Sequence, residues 1–262
     1  MPAPDPAIVA RLRAAGCVFA EDEAALLTEA ASSAAELDAL VARRVAGEPL
    51  EPLLGWVEFC GLRLHVDPGV FVPRQRTSRL ARRAAALTAA GIAAGRDTVV
   101  VDLCCGIGAI GAVVRDGAPA AEVHAADIDP AAVRCARRNL PADLVYEGDL
   151  FAALPVALRG RVDVLAVNAP YVPTDAIALM PPEARDHEPP VALDGGPDGL
   201  DLHRRIAAEA ADWLAPGGTL LIEAGDAQAS TSAALFAAAG LDATVDADAD
   251  TGSTIVVAVA AR

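Results

Sequence analysis

The sequence contains no lysine, few aromatic residues and no long uncharged segment. All 21 basic residues are arginine, and 3% of the 262 residues are aromatic. The longest run without a charged residue, residues 227–241, is too short for a membrane-spanning helix, which needs about 20 apolar residues. Asp5, Arg11 and Arg13 lie where a secretion signal would need an uninterrupted apolar segment. We therefore expect a soluble, cytoplasmic protein that does not bind a membrane.

Cysteine is also scarce, and its pattern suits neither disulfides nor a metal site. The five cysteines are an odd number in a long chain, which argues against a disulfide framework. Cys104 and Cys105 are adjacent, but no second Cys or His pair stands at zinc-ligand spacing. We expect no metal site and a packing role for both thiols.

Positive charge is in short supply as well. Acidic residues outnumber basic ones by 36 to 21, so the formal net charge is −15. Contacts with a nucleic-acid backbone need clustered arginine or lysine side chains. The charge therefore disfavours direct binding of nucleic acid.

The chain divides into a short helical part and a longer part in which strands and helices alternate. Residues 1–48 contain helical stretches bounded by Pro6, Gly16 and Gly47, and residues 49–75 contain two alternating apolar segments around Gly61, which are typical of a hairpin. Residues 76–262 form the third predicted domain.

Seven candidate strands in residues 76–262 alternate with helical segments. This pattern predicts an α/β fold with a mostly parallel sheet covered by helices on both faces. The predicted strands are residues 98–103, 122–127, 144–147, 162–168, 219–223, 243–245 and 254–260, and the predicted helices are residues 108–115, 130–139, 199–214 and 227–239.

Small and acidic residues follow the first three of these strands, at the sheet edge where ligands bind in such folds. The segment 102–108, Asp-Leu-Cys-Cys-Gly-Ile-Gly, allows a tight turn and close approach to a ligand before a helix begins. Asp127, about 20 residues later, suits ribose hydroxyls, while Asp129 caps the next helix. Asp149 follows the third strand. These turns predict a nucleoside-containing ligand, and a dinucleotide is one such ligand.

The fourth strand ends in Asn168-Ala169-Pro170-Tyr171, a motif suited to a planar amino group. An asparagine amide and consecutive carbonyl oxygens can accept two hydrogen bonds from an –NH2 group. The tyrosine face can hold that group flat. A simple turn is the alternative role for adjacent Asn and Pro residues.

This motif resembles the Asn-Pro-Pro-Tyr signature of class I, S-adenosylmethionine-dependent N-methyltransferases. Further segments resemble the HemK/PrmC protein-(glutamine-N5) methyltransferases, and the resemblance covers about residues 47–225. These segments are Gly47-Glu48-Pro49-Leu50, Leu54-Gly55, Phe59-Cys60-Gly61-Leu62, Val66-Asp67-Pro68-Gly69-Val70-Phe71-Val72-Pro73-Arg74, Glu188-Pro189 and Ala192-Leu193-Asp194-Gly195-Gly196-Pro197-Asp198-Gly199-Leu200.

The resemblance implies a seven-strand, Rossmann-like methyltransferase fold preceded by a small helical domain and a hairpin linker. It implies S-adenosyl-L-methionine as cofactor, S-adenosyl-L-homocysteine as product, and a protein glutamine as methyl acceptor, with a peptide chain release factor as the leading candidate. By position, residues 104–108 would line the methionine part, Asp127 would bind the ribose, and Asp149 with Leu150 would border the adenine. Asn168 would touch both cofactor and substrate. The implied cofactor-binding residues are Asp102, Cys104, Cys105, Gly106, Ile107, Gly108, Asp127, Ile128, Asp149, Leu150 and Asn168, and the implied catalytic residues are Asn168, Ala169, Pro170 and Tyr171.

Three features depart from the family pattern. Ala169 replaces a proline, Arg76 replaces the glutamate of Pro-Arg-Pro-Glu-Thr, and the region before Gly47 is shorter than the usual helical domain. A small amide- or guanidine-containing metabolite is therefore the alternative acceptor. An adenine N6-methyltransferase would need a basic channel and stacking aromatics, which this composition disfavours. A cofactor-binding interaction protein without activity is the non-enzymatic alternative.

Overall fold

Four short helices form the N-terminal part of the computed structural model, which describes residues 4–262. Asp5 caps the first helix by accepting a hydrogen bond from the backbone N–H of Ala7 at 2.8 Å. Gly16 and Gly47, with φ of 94° and 99°, end the first and third helices. The four helices are α1 (Pro6–Ala14), α2 (Ala20–Ala30), α3 (Ala34–Val45) and α4 (Leu50–Leu54).

These helices share an apolar core of their own. Leu12, Leu27 and Val41 are fully buried in it, and Leu53 of α4 closes it. The predicted helical N-terminal region is thus confirmed. Residues 1–3 of the predicted first domain lie outside the described residues, and the division of the chain into three domains stays a prediction.

A hairpin of β1 (Trp56–Phe59) and β2 (Leu62–His65) follows, as predicted. Cys60 and Gly61 form its two-residue turn, and both have positive φ (53° and 84°), as a type I′ turn requires. Val57 and Phe59 are buried in the core of the main sheet, so the hairpin packs against the large α/β layer.

The large part of the protein is a seven-stranded sheet with the strand order β5-β4-β3-β6-β7-β9-β8. The strands β3 to β7 pair in parallel, whereas β9 is antiparallel to both β7 and β8. The strands are β3 (Val99–Leu103), β4 (Glu122–Asp127), β5 (Val145–Glu147), β6 (Val162–Val167), β7 (Leu214–Glu223), β8 (Asp242–Asp248) and β9 (Ser253–Val259). The predicted fold class is confirmed.

Helices cover both faces of this sheet, so that its central strands are buried on both sides. In β3, Val100 points into one core and Val101 into the other. The first core contains side chains of α5, α6 and α7, and the second contains side chains of α9 and α10. The helices are α5 (Ser78–Ala93), α6 (Ala109–Gly117), α7 (Pro130–Asn139), α8 (Pro182–His187), α9 (Asp201–Trp213) and α10 (Asp226–Ala238).

Several elements differ from the prediction. The helices α4, α5 and α8 are not predicted, and the buried face of α5 consists largely of small residues, including Ala81 and Ala84. The strand β7 starts at Leu214 rather than 219, and its pairing with β6 shifts register between Val162 and Val164. The edge strand β8 is longer than predicted because its exposed polar residues mask it. Within residues 4–262, no helix is both long and apolar enough to span a membrane.

Candidate functional site

A pocket of about 410 Å³ opens at the carboxyl ends of β3, β4, β5 and β6. Its walls are the turns that follow these four strands, as the sequence predicts for a parallel sheet. Phe71, Arg74 and Arg76 also line the pocket. Residues 173–194, here called the covering segment, contribute Met180 and residues 189–194 to the lining. The lining residues from the strand ends include Cys104, Gly106, Asp127, Ile128, Asp149, Leu150, Asn168, Ala169, Pro170 and Tyr171.

In the turn after β3, some residues line the pocket and others are buried beneath them. Gly106 (φ 55°) lines the pocket, and a Cβ atom at this position would meet no neighbouring atom within 4 Å. Gly108 faces inward, where a Cβ would lie 2.7 Å from Leu140 Cδ1. Cys105 and Ile107 are buried with it, and burial raises the pKa of the Cys105 thiol. These three predicted cofactor residues therefore stand behind the pocket wall.

Asp102 also lies behind the wall, at the end of β3. Its Oδ2 accepts a hydrogen bond from the backbone N–H of Gly111 at 2.8 Å, which ties the strand to α6. Its Oδ1 is buried and has no hydrogen-bond partner within residues 4–262. Burial raises the pKa of Asp102 to about 8, so the folded protein holds this carboxyl mainly as the neutral acid at pH 7.

Asp127 stands at the pocket rim after β4. Its Oδ2 accepts a hydrogen bond from Gly106 N at 2.8 Å, and its Oδ1 accepts one from Asp129 N at 2.9 Å. Each carboxylate oxygen keeps a lone pair for a ligand hydroxyl. Asp129 caps α7 by accepting a hydrogen bond from Ala131 N at 2.8 Å, so the predicted capping role is confirmed. Ile128, between the two acids, offers an exposed apolar surface at the pocket.

The turn after β5 adds an ion pair to the rim. Asp149 Oδ2 accepts a hydrogen bond from Arg205 of α9 at 2.6 Å. Leu150, with φ of 48°, is buried next to it. Arg205 lies 56 residues from Asp149 in the chain and yet lines the same pocket, so no local pattern in the sequence indicates it.

The turn after β6 brings all four residues of the Asn-Ala-Pro-Tyr motif to the pocket. Within the described part of the chain, the Asn168 side chain makes no hydrogen bond. Gly195 packs directly on this turn, where a Cβ would lie 2.8 Å from the carbonyl oxygen of Pro170. Gln228 donates a hydrogen bond to the carbonyl oxygen of Tyr171 at 2.9 Å. The turn is therefore held by contacts with Gly195 and Gln228, while Asn168, with no side-chain partner among the described residues, lines the pocket.

Arg76 and Glu223 fix the Tyr171 side chain. The Tyr171 hydroxyl donates to Glu223 Oε1 at 2.9 Å, and Arg76 Nη2 donates to the Tyr171 hydroxyl oxygen at 2.8 Å. Arg76 Nε also donates to Glu223 Oε1 at 3.2 Å. Burial and the neighbouring carboxylate raise the pKa of Tyr171, so the hydroxyl stays protonated. The arginine that departs from the family pattern thus pairs with a buried acid at the end of β7.

Two further ion pairs hold the covering segment in place. Arg74 donates to Glu188 Oε2 at 2.5 Å, and Glu188 Oε1 accepts a hydrogen bond from Val72 N at 3.2 Å. Arg44 of α3 donates to Glu183 of α8 at 2.6 Å. The linker and the N-terminal helices are therefore both connected to the covering segment.

Comparison with known proteins agrees with this architecture. The sequence model of the methyltransferase small domain matches residues 61–180. The release factor glutamine methyltransferase of Geobacter sulfurreducens is 39% identical over 205 residues, which are 77% of this chain and 69% of that protein. The chain belongs to the family of release factor glutamine methyltransferases. The family predicted from the sequence motifs is confirmed.

Two other similar proteins show the breadth of this methyltransferase group. The 4-amino-L-phenylalanine/4-methylamino-L-phenylalanine methyltransferase of Streptomyces pristinaespiralis is 39% identical over 203 residues, 76% of this chain and 69% of that protein. A methyltransferase crystal structure from Pyrococcus furiosus, 17% identical, covers 78% of this chain and 91% of that chain with a TM-score of 0.55. The methyltransferase fold is thus shared even where sequence identity is low.

Proposed function

We propose that this methyltransferase transfers a methyl group from S-adenosyl-L-methionine to the side-chain amide nitrogen (N5) of a protein glutamine in a peptide chain release factor. The observation that carries the proposal is that Asn168, whose amide has no hydrogen-bond partner within residues 4–262, lines the same pocket as the Asp127 carboxylate. The names of the relatives from Geobacter sulfurreducens and Streptomyces coelicolor support the acceptor, the latter being 40% identical over 192 residues, 72% of this chain and 67% of that protein.

The residues at the strand ends fit S-adenosyl-L-methionine. The open space in front of Gly106 would accept the methionine part, since no side chain fills it. The free lone pairs of Asp127 suit two ribose hydroxyls, and the apolar surfaces of Ile128 and Leu150 suit an adenine ring. A pocket of about 410 Å³ lies in the range common for small-molecule sites. When bound, the cofactor supplies an electrophilic methyl group on a sulfonium.

The Asn-Ala-Pro-Tyr turn would orient the acceptor. An amide nitrogen is a poor nucleophile because its lone pair is delocalised into the carbonyl group. The Asn168 side-chain oxygen and the Ala169 carbonyl oxygen would each accept a hydrogen bond from one N–H group of the acceptor. These two hydrogen bonds would hold the nitrogen in one orientation towards the methyl group. The same oxygens would stabilise the positive charge that develops on the nitrogen. The methylated nitrogen would then lose one of its two protons to water, and S-adenosyl-L-homocysteine would be released. Positioning and electrostatics therefore account for the reaction without a strong base.

The test is a transfer assay with the full chain, labelled S-adenosyl-L-methionine and purified release factors. We expect the label on a glutamine side chain, located by mass spectrometry of the digested factor. An Asp127→Asn variant is expected to bind the cofactor at least tenfold more weakly, since it loses the charged acceptor for the ribose hydroxyls. Asp116→Asn, which changes an exposed carboxylate on α6, is the matched control. Label on no glutamine of any release factor would contradict the proposed acceptor.

A small amine or amide is the second candidate acceptor. The similarity to the Streptomyces pristinaespiralis enzyme, whose named substrates are amino acids, favours it. Transfer to a small-molecule fraction of a cell extract, with none to protein, would support this alternative. Methylation of DNA rather than protein would instead support the adenine N6 alternative, which the net charge of −15 disfavours.

A further inference from the structure

We propose that the methyl acceptor carries a carboxylate near its reactive nitrogen and that Arg76, together with Arg74, binds this carboxylate. The inference deepens the proposed function and rests on it for the position of the nitrogen beside Asn168. It concerns the part of the pocket lining formed by Phe71, Arg74 and Arg76.

Within residues 4–262, seven charged side chains line the pocket. Asp127, Asp129 and Asp149 follow β4 and β5, and Arg205 lies with them and pairs with Asp149. Arg74 and Arg76 line another part of the pocket, and the covering segment adds Asp194. The protein as a whole carries a net charge of −15, so two guanidinium groups at one wall are a local exception. The acids that pair with these arginines, Glu188 and Glu223, are buried, so an acceptor at this wall meets the guanidinium groups.

Arg76 keeps unused hydrogen-bond donors at this wall. A guanidinium has five N–H groups, and Arg76 uses one at Nε for Glu223 and one at Nη2 for Tyr171. Within residues 4–262, the remaining three donate to no protein atom. The Arg76 side chain is 47% exposed and lines the pocket, whereas the Glu223 side chain is only 2% exposed. The ligand therefore meets the guanidinium and not the acid beneath it.

Arg74 repeats this arrangement on the neighbouring stretch of the linker. One of its Nη2 hydrogens pairs with Glu188, whose side chain is 2% exposed, and the Arg74 side chain is 31% exposed. A buried acid behind each arginine limits the conformations of the guanidinium before a ligand arrives. Such preorganised, planar groups bind carboxylates in a bidentate manner more readily than flexible ones.

A binding experiment separates this proposal from a purely structural role of the arginines. N-acetyl-L-glutamine and N-acetyl-L-glutaminamide carry the same side-chain amide and differ in the carboxylate. Titration of the full chain with each compound by calorimetry, in the presence of S-adenosyl-L-homocysteine, measures the preference for the acid. We expect the acid to bind at least tenfold more tightly, because hydrogen bonds to a charged group are the stronger ones.

Three variants test whether Arg76 causes that preference. Arg76→Gln is expected to reduce it at least fivefold. The double variant Arg76→Gln/Glu223→Gln removes the guanidinium without leaving a buried acid unpaired, so it keeps the test valid if the single variant folds poorly. Arg159→Gln removes an arginine paired with Asp212 away from the pocket and is expected to keep the full preference.

The carboxylate could belong to a neighbouring residue of a protein acceptor or to a small acceptor molecule, and peptide ligands distinguish these two sources. A short blocked peptide with glutamate after its glutamine is compared with one that has a second glutamine there. A preference for the glutamate peptide assigns the carboxylate to a neighbouring residue of a protein acceptor, whereas a preference limited to N-acetyl-L-glutamine assigns it to a small acceptor. Equal affinities for acid and amide forms, including no binding of either, would overturn the proposal. Binding with this preference but no methyl transfer to any amide would instead count against the proposed function.

Discussion

Replacing Asp102 with asparagine is expected to flatten the pH dependence of the protein's stability. Asp102 is fully buried, and burial raises the pKa of its carboxyl from 3.8 to about 8 in the folded state. In the unfolded chain the pKa returns to about 3.9. Between these two values the folded protein binds a proton that the unfolded chain releases. The stability from this group is therefore complete below about pH 4 and is lost as the pH rises through about 8.

The change in stability with pH follows from the one proton that folded Asp102 binds and the unfolded chain releases. A difference of one bound proton changes the free energy of unfolding by about 1.4 kcal/mol per pH unit. Wild-type protein should therefore lose about 2.7 kcal/mol between pH 5 and pH 7 that the variant does not lose. Asparagine keeps an oxygen for the N–H of Gly111, and its buried NH2 group adds a cost that does not depend on pH.

Urea unfolding followed by circular dichroism at pH 5, 6 and 7 measures this difference. The free energy of unfolding of Asp102→Asn should change less with pH than that of wild type. Asp116→Asn alters an exposed carboxylate on α6 and should follow the wild-type curve. Parallel curves for wild type and Asp102→Asn would refute the assignment of a neutral, buried acid at the end of β3.

Two substitutions, each with a matched control, test the packing against the Asn-Ala-Pro-Tyr turn and the buried ion pair of the N-terminal helices. Gly195→Ala would place a methyl group 2.8 Å from a carbonyl oxygen of the Asn-Ala-Pro-Tyr turn, so thermal unfolding and transfer assays should show a loss of about 1–3 kcal/mol of stability and lower activity. Gly117→Ala, whose Cβ would make an ordinary 3.4 Å contact, should change neither, and equal behaviour of the two would contradict the packing argument. Arg44→Met should cost about 3–5 kcal/mol in urea unfolding, because Glu23 stays buried without its charged partner. Arg11→Met removes an exposed pair and should cost less than about 1 kcal/mol, and a similar cost for both variants would show that the buried pair contributes little.

The strand-end residues could be brought together from the sequence because the rules involved are local. Glycine and acidic residues directly after a strand fix a turn within a few positions. In a parallel sheet the carboxyl ends of all strands meet at one edge. Cys104, Gly106, Asp127, Asp149 and Asn168 consequently line one pocket, although they come from four turns along the chain.

The support behind these residues could not be predicted, because it depends on contacts between distant segments. Arg76 and Tyr171 are 95 residues apart in the chain, and Arg44 and Glu183 are 139 apart. From its neighbours in the sequence alone, each arginine is indistinguishable from a solvent-exposed charged residue. The partner acid becomes apparent only when the linker, the N-terminal helices and the covering segment pack together. Gly108 is another example of such a distant contact. The sequence motif predicts that it lines the cofactor site, whereas in the structure it packs against α7 and Leu140.

The most direct test of the central claim is the rate of methyl transfer by Asn168→Ala to a glutamine of a release factor. We expect the Asn168 side chain to hold an amide nitrogen for methylation. If it does, wild type places the methyl group on a glutamine, and the variant keeps its folded circular dichroism spectrum while kcat falls about 100-fold or more. Unchanged turnover of a correctly folded Asn168→Ala variant would contradict the account.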